Sequence, residues 1–478
     1  MTAQTILPAN SVTASGYDVA NSCRFDGSSS YMQKTLGAPT SAKKATFSLW
    51  FKTSDTIAGN GGRCLMSWGD DAGAIYVNET NDGQWEINLD NSDGLYKGTA
   101  GGQLSRDPAA WSHLCLIIDT TNDTANDRFQ FFLNNVRVVF SANNNNNPDE
   151  DYDVAGLADG QVIAVGRRHS TTSLYYSGYM AEVCFIDGLS LGPDSFGEFD
   201  SDSGIWKPIK VSGLTFGNNG FYLEFKDGSN LGDELKGTQT ADWSETNLAA
   251  TDQSTDTCTN NFATLNPLIT GANFVFSDNN LVIAQSATNW DSAYSTMGVT
   301  SGKWYMEFKG KVGAYFDVGV TDIINAAGNV SQNSGCVAYK SNGEFARAGA
   351  VGDGLPSSIT DPASSSYGVN DIIGIALDVD NEAVYFSKNG TYEVNSDPES
   401  GASKTGAVTL PNSNSLYFFA VAAYKGSAAS GTAQVNFGGG SVDAISSGNA
   451  DADGHGNFEF AVPSGYFALC TKNLAEYG

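Results

Sequence analysis

The sequence predicts an all-β protein made of two β-sandwich domains. Its apolar residues occur in short β-branched or aromatic segments bounded by Gly, Asn, Asp or Ser, which is the pattern of strands. Helical periodicity is not sustained over ten residues, and the candidates for short helices are confined to 193–198 and 473–477. The chain has 478 residues, whereas single cores stop growing at about 250 to 300 residues. Two domains are therefore expected.

The strand pattern is clearest in six segments. They lie at 45–52, 111–119, 128–133, 303–309, 372–380 and 416–423. Within 372–390, apolar residues alternate along one stretch, Asp380-Asn381 supplies a turn, and Val384 and Phe386 alternate on the return. This arrangement predicts a hairpin, and Asn389-Gly390 predicts a second turn after it.

Composition divides the chain into four parts. Residues 194–210 interrupt the strand pattern with acids, Gly and Pro, and 228–261 are polar. We place an N-terminal arm at 1–16, a first sandwich at 17–192, a connector at 193–262 and a second sandwich at 263–478. Trp206, Trp243 and the strand-like 221–225 indicate that the connector is structured, and we expect it to pack between the domains.

The charge balance excludes several classes of partner. With 53 acidic and 25 basic residues the net charge is −28, which disfavours nucleic acid and anionic membranes. No apolar stretch reaches the ~18 residues of a membrane span, and residues 1–16 lack the regions of a secretory signal. The seven cysteines are scattered without a Cys-x-x-Cys pair, so we expect no disulfide scaffold, no zinc site and folding in a reducing cytoplasm.

The second half resembles SPRY domains. SGKWYMEFK (301–309), FDVGV (316–320), GCVAY (335–339) and DIIGIALDVDNEAVYFSKNG (371–390) occur in the order seen in that family, followed by 416–424 and AQVNFG (433–438). The resemblance implies a bent β-sandwich that binds partners through its loops and performs no catalysis.

The first half resembles the laminin-G or concanavalin A-like jelly roll, on the strength of CRFDGSSSYM (23–32), FSLWF (47–51), 111–119 with FFLNN (131–135), and GYMAEVCFIDGLS (178–190). The whole layout, with 196–208, 220–225 and 260–267, resembles tail-fibre or decoration proteins of tailed bacteriophages. That resemblance implies a virion protein, assembled in the host cytoplasm, that contacts other virion proteins and a host-surface glycan or protein.

Catalytic patterns are weak. Glu86-Ile-Asn-Leu-Asp90 is the nearest analogue of the paired carboxylates of glycosidases, but Asn88 occupies its middle position, so we favour a solvated strand face. Glu182 and Asp187 are separated by an odd number of residues and are expected on opposite strand faces. No Gly-x-Ser-x-Gly elbow accompanies the histidines, and we expect ordinary strand and loop roles for them and no enzymatic activity. The histidines are His113, His169 and His455.

Glycan binding needs aromatic side chains beside polar ones, because sugar rings have apolar faces ringed by hydroxyls. Each candidate aromatic is more often a core or edge residue than a ligand contact, and the sequence does not choose among them. The candidate ligand-binding residues are Arg167, Arg168, Tyr175, Tyr176, Trp290, Tyr294 and Tyr367.

A calcium site is the candidate for metal binding. Four carboxylates follow the five asparagines of 143–147, and Ca²⁺ prefers oxygen ligands. We favour a solvated acidic loop, because density of carboxylates alone does not make ligands converge. The candidate ligands are Asp149, Glu150, Asp151 and Asp153.

Three hypotheses about function stay open. The first is a non-enzymatic virion protein that recognises a host surface through loops of both sandwiches. The second is a purely architectural capsid or tail decoration protein, and the third is a polysaccharide depolymerase. Weak, repeated surface sugars favour multivalent binding, so we also expect a homo-oligomer, specifically a trimer.

Overall fold

The computed structural model describes most of the chain. The described residues are 16–54, 63–69, 73–78, 84–90, 94–98, 107–140, 145–169, 174–234, 243–313, 315–325, 328–333, 335–347, 364–428 and 430–478. The predicted arm at 1–16 lies outside them except for Gly16. The chain divides into two units, the first ending at Asn260 and the second running from Asn261 to Gly478.

Short strands make up the first unit. Among the described residues they are β1 (Ser22–Asp26), β2 (Tyr31–Thr35), β3 (Lys44–Thr53), β4 (Arg63–Trp68), β5 (Gly73–Asn78), β6 (Gln84–Asp90), β7 (Leu95–Gly98), β8 (Ser112–Asp119), β9 (Phe129–Leu133), β10 (Val136–Arg137), β11 (Val162–Val165), β12 (Ser177–Asp187), β13 (Gly197–Phe199), β14 (Trp206–Pro208), β15 (Phe221–Leu223), β16 (Ser244–Thr246) and β17 (Gln253–Ser254). Single 3₁₀ turns lie at Ala125–Asp127, Ala155–Leu157, Pro193–Ser195 and Ala250–Asp252.

Two large antiparallel sheets form the first unit in the part of the chain that the structure describes. The first sheet has the order β10-β9-β8-β3-β12-β1-β17, with β15 paired to β12, and the second has the order β16-β2-β11-β4-β5-β6-β7. Because strand residues alternate, Phe47 of β3 faces the core and stacks on Trp68 of β4 with ring centroids 4.6 Å apart. The two sheets therefore form a sandwich around one core, as predicted.

The predicted connector is part of this first unit. Its strand β15 pairs with β12, β16 with β2 and β17 with β1. On the outer face of the first sheet, Trp206 packs with Trp50, Trp111 and Tyr179. The structure thus places the described residues of 193–260, which are 193–234 and 243–260, on the first sandwich, because the outer face of that sheet is apolar and has to be covered.

The strands of the second unit follow the same pattern. Among its described residues they are β18 (Leu265–Thr270), β19 (Phe274–Ser277), β20 (Val282–Gln285), β21 (Asp291–Val299), β22 (Lys303–Val312), β23 (Tyr315–Thr321), β24 (Cys336–Lys340), β25 (Phe345–Arg347), β26 (Ile372–Asp378), β27 (Ala383–Lys388), β28 (Thr391–Tyr392), β29 (Val408–Thr409), β30 (Tyr417–Tyr424), β31 (Gly431–Asn436) and β32 (Phe467–Ala468). The helix α1 (Thr471–Tyr477) follows, and 3₁₀ turns lie at Val330–Gln332, Glu393–Asn395 and Pro398–Ser403.

The second unit is also a sandwich. Over its described residues one sheet has the order β18-β21-β30-β23-β24-β25 and the other β19-β20-β31-β22-β26-β27-β28, with β29 beside β27 and β32 beside β22. The predicted hairpin is confirmed, since β26 pairs with β27 and Asp378 lies opposite Ala383. The second turn is confirmed too, because Asn389 (φ 49°) and Gly390 (φ 79°) lead into β28.

All seven cysteines are buried thiols outside any disulfide. Their burial raises the pKa of thiols such as Cys23 well above the ordinary value. These side chains therefore act as small apolar groups of the packing. Within the described part of the chain, no helix is long and apolar enough to span a bilayer.

Candidate functional site

One polar and aromatic surface lies on the outside of the second sheet of the first unit. Along β2, Met32 faces the core while Tyr31 and Gln33 face outward. Arg167 follows β11 by two residues, and its guanidinium carbon lies 3.5 Å from the centroid of the Tyr31 ring. Arg167 Nη2 donates to Gln33 Oε1 over 2.8 Å, and the Tyr175 ring lies 6.3 Å from the Tyr31 ring. We call Tyr31, Gln33, Arg167 and Tyr175 the Arg167 surface.

The backbone at 167–169 is held by the side chain of Ser67 on β4. Ser67 Oγ donates to the Arg167 carbonyl over 3.0 Å and accepts from the His169 backbone N–H over 2.9 Å. Gly166 has φ 89°, and a Cβ there would lie 2.5 Å from the Phe25 ring. The chain therefore needs glycine at this position to bring Arg167 over Tyr31. Arg168, also predicted, is half-buried beside it.

Tyr176 is not part of this surface, in contrast to the prediction. It is fully buried, its ring packs edge-on against Phe25, and its hydroxyl donates to the Tyr179 carbonyl. Neighbouring residues of an extended chain point to opposite sides, so only Tyr175 of the pair can face outward.

A second aromatic surface lies on one sheet of the second unit. Trp290 stacks on Tyr424 with ring centroids 5.6 Å apart, and Tyr424 lies 5.9 Å from Tyr315. Tyr315 and Tyr424 are direct partners in the pairing of β23 with β30, and Trp290 precedes β21 on the other side of β30. Tyr315 is 50% exposed, and the other two are half-buried. We call these three residues the Trp290 surface.

The other two predicted aromatics of this unit lie in the interior. Tyr294 is 1% exposed and donates its hydroxyl to the Asn325 carbonyl over 2.7 Å. Tyr367 is 5% exposed, and its hydroxyl lies 2.8 Å from the Tyr339 carbonyl. Both rings are covered and both hydroxyls are already bonded within the fold, so the structure does not place these two predicted residues on a binding surface.

The acidic loop is organised by ion pairs. Asp151 lies 3.1 Å from the Lys43 ammonium, and Glu150 lies 3.1 Å from Arg128. Asp149 and Asp153 are exposed. No group of three or more His, Cys, Asp or Glu side chains in the described residues could hold a metal ion. The four predicted ligands therefore do not converge, and the geometry favours the solvated loop over the calcium site.

A buried serine–histidine pair has the wrong proton arrangement for nucleophilic catalysis. Ser48 Oγ lies 2.8 Å from His113 Nε2, and Trp206 Nε1 donates to His113 Nδ1 over 3.1 Å. Since the indole N–H can only donate, Nδ1 has no proton and Nε2 carries it. His113 thus donates to Ser48 and cannot accept its proton. Burial also lowers the pKa of His113 to about 3.

The carboxylates noted in the sequence serve separate contacts. Asp90 is 1% exposed and accepts from the Tyr152 hydroxyl over 2.8 Å, while Asn88 is 3% exposed, so the prediction of a solvated face on β6 is wrong. The separation expected for Glu182 and Asp187 is observed: Glu182 accepts from Tyr17 and Tyr222, whereas Asp187 accepts from backbone N–H groups.

Glu182 is a perturbed acid in an unusual backbone conformation. It is 5% exposed, it has φ 52°, and the pairing of β12 with β3 shifts register around it. Burial has the largest effect on its carboxyl and raises the pKa, as does the charge of Glu224. The hydrogen bond from Tyr222 lowers the pKa, and the net result is a pKa of about 7. The hydroxyls of Tyr17 and Tyr222 both donate to this carboxyl, and the residue is almost fully covered.

Part of the chain matches a known family. Residues 26–189 match the family model of the concanavalin A-like lectin/glucanases superfamily, Laminin_G_3. This range includes the four residues of the Arg167 surface. A match of this kind fits a carbohydrate-binding or adhesion role.

Several solved structures resemble parts of the chain. The SPRY domain of human HERC1 is 16% identical, with 36% of this chain and 96% of that chain covered and a TM-score of 0.28. A heptameric SAP-like pentraxin from Limulus polyphemus is 14% identical, with 37% and 80% covered and a TM-score of 0.28. Stonustoxin is 13% identical, with 36% and 27% covered and a TM-score of 0.24. No curated protein matches the chain by sequence.

Sequence reasoning missed four of the seven residues that form the two surfaces. Tyr31 and Gln33 reach Arg167 only through the pairing of β2 with β11, which joins residues more than a hundred positions apart. Tyr315 and Tyr424 meet through the pairing of β23 with β30. The available signal was the outward position of Tyr31 and Gln33 on either side of the buried Met32.

Proposed function

We propose that the protein recognises glycans through surface aromatic side chains and does not cleave them. The observation that carries this proposal is the Arg167 surface, where a guanidinium, an amide and two phenol rings lie together within the range that matches the lectin/glucanases superfamily. The apolar face of a sugar ring packs on Tyr175, and its hydroxyls bond to Arg167 and Gln33. The Trp290 surface gives the second unit a contact area of the same kind.

Recognition without cleavage is supported by the state of the acids and of the histidine. The proton on His113 Nε2 opposes activation of Ser48, and Asp90 is held by Tyr152. A glycosidase needs two carboxyl groups about 5 to 9.5 Å apart on either side of an accessible sugar. The carboxyls of Glu182 and Asp90 are instead buried in separate hydrogen-bond networks.

The experiment is a glycan array probed with the full chain and three variants. Tyr175→Ala and Arg167→Ala are expected to weaken binding by about three- to tenfold each, because each removes one stacking or hydrogen-bonding contact of about 0.5 to 1.5 kcal/mol. Val139→Ala, at an 82% exposed position of the same unit, is the matched control and should bind normally. Binding that is equal in all four proteins contradicts the assignment of the site. Shortened glycans in a reducing-end assay, lost in Glu86→Gln, would favour a depolymerase.

We further propose that this recognition takes place on a bacteriophage particle, where the chain is a homotrimeric attachment protein bound to other virion proteins. This setting is supported only by the sequence resemblance to tail-fibre and decoration proteins. Mass spectrometry of purified particles should find the chain, and light scattering should give a trimer. Equal attachment to host and non-host cells would favour a purely architectural role.

A further inference from the structure

A partly enclosed cleft lies on the outer face of one sheet of the second unit. On β22 and β31, Phe308 and Val435 face the core, so Lys309 and Gln434 face outward as direct cross-strand partners. Ser441, residues 443–446 and Glu459 line the rest of the cleft, which has a volume of about 190 Å³. We call this the Gln434 cleft.

Gln434 is the residue that points to a ligand. Its side chain is 5% exposed, and its Oε1 has no hydrogen-bond partner among the described residues. A buried acceptor without a donor costs about 1 to 3 kcal/mol, and native proteins keep few of them. Because Gln434 lines the cleft, a bound molecule with an O–H or N–H group would supply the absent donor.

The charges of the cleft disfavour an ionic ligand. The Lys309 and Lys311 ammonium groups are both bound to Asp443, at 2.6 Å from Lys309. Glu307 is held by the backbone N–H groups of Glu459 and Phe460, at 3.0 and 2.8 Å. An anion would meet the carboxylates of Asp443 and Glu459, and a cation would meet the lysine ammonium groups.

The walls match a neutral, hydroxylated molecule. Ile372, Ala444 and Ile445 supply apolar surface, while Gln434 and Ser441 supply polar groups. The volume is below the ~300 Å³ at which pockets for drug-sized ligands begin, so one ring fits better than an extended chain.

We propose that the Gln434 cleft binds a single neutral sugar ring, one of whose hydroxyls donates to Gln434 Oε1. This site is separate from the Arg167 surface and does not depend on it. It gives the second unit its own saccharide specificity.

The test is ligand-observed NMR and calorimetric titration of the full chain with D-glucose, D-galactose, D-mannose and N-acetyl-D-glucosamine. At least one of these sugars should bind. Gln434→Leu should bind about tenfold more weakly, since one hydrogen bond is lost. It should not lower the melting temperature, because the oxygen it removes is unsatisfied in the free protein. Ala444→Trp, at an exposed position of the wall, should block binding without affecting the core.

Two controls separate this site from the Arg167 surface. Gln332→Leu makes the same chemical change at an exposed position of the same unit and should bind like the wild type. Tyr175→Ala should bind monosaccharides in the Gln434 cleft as the wild type does, although its binding to the glycan array through the Arg167 surface is weakened. The proposal is overturned if none of the four sugars binds, or if Gln434→Leu and Ala444→Trp both bind as tightly as the wild type.

Discussion

The buried ion pair between Lys52 and Asp256 gives the sharpest test of how the first unit is assembled. Lys52 lies on β3, and Asp256 follows β17 in the segment predicted as a connector. Their side chains are 1% and 2% exposed, and Lys52 Nζ lies 2.8 Å from Asp256 Oδ2. Asp256 Oδ1 also accepts from Trp111 Nε1 over 2.9 Å. The pair therefore joins the segment that was predicted as a connector to the first sandwich.

Asp256→Ala removes the carboxylate from beside a buried ammonium group. Breaking one side of such a pair costs about 3 to 5 kcal/mol, because the remaining charge loses its main compensation. For a domain of this size each kcal/mol lowers the melting temperature by about 2 to 4 °C, which gives a decrease of about 6 to 20 °C. The double variant Lys52→Met/Asp256→Leu should lose less than the sum of the single changes, since it leaves no buried charge behind.

The assay is differential scanning calorimetry, which resolves the transition of the first unit when the two units unfold separately. Asp151→Asn is the matched control, because it breaks the exposed pair with Lys43, whose side chains are 34% and 64% exposed, and Asn tolerates the left-handed backbone at this position (φ 61°). That change should cost less than about 1 kcal/mol. If Asp256→Ala lowers the melting temperature no more than Asp151→Asn does, the segment that contains Asp256 is not an integral part of the first unit.

Three further predictions follow from the packing and the charges. Gly73→Ala should destabilise the first unit by about 1 to 3 kcal/mol in urea unfolding, because its Cβ would lie 1.8 Å from Trp68 Nε1, and unchanged stability would contradict the packing. Because burial raises the pKa of Glu182 from 4.5 to about 7, its protonated form stabilises the fold fully below pH 4.5 and this stabilisation is lost as the pH rises through 7. Glu182→Gln cannot ionise and should flatten the pH dependence of the unfolding free energy in that range; an unaltered slope would show that another group is responsible. Tyr315→Ala, at a 50% exposed position, should keep the melting temperature and weaken glycan binding to the second unit by about two- to tenfold, and undiminished binding would exclude the Trp290 surface.

Local patterns predicted the strands because alternation is a property of a few adjacent residues. The hairpin at 372–388 is the clearest case: Ile375 and Leu377 reach the core from β26 and Val384 and Phe386 from β27, as their spacing requires. The short C-terminal helix was also predicted, although it begins at Thr471, two residues before the predicted start. Differences of this size are ordinary at helix ends.

The candidate site was predicted only in part, because burial depends on contacts that local sequence does not contain. Tyr175 and Trp290 are half-buried at the surface, whereas Tyr294 and Tyr367 are covered by other segments of the second unit. Nothing in the neighbourhood of either tyrosine in the sequence reveals that cover. The burial of Asp90 was missed for the same reason, because its hydrogen-bond partner Tyr152 lies far along the chain.

The acidic loop shows that local composition does not reveal which charged groups from other parts of the chain lie beside it. Four carboxylates within five positions predicted a candidate cation site, yet Lys43, just before β3, and Arg128, just before β9, pair with two of them. The charge of a loop is thus balanced by groups that only the folded chain brings near.

The central claim is that the chain binds a glycan on the Arg167 surface and leaves it intact. A crystal structure of the protein soaked with a saccharide that it binds on the glycan array tests this most directly. We expect an unbroken sugar whose ring lies against Tyr175 and whose hydroxyls bond to Arg167 and Gln33. A hydrolysed sugar lying between two carboxyl groups, or a saccharide bound elsewhere with the Arg167 surface unoccupied, would contradict the account.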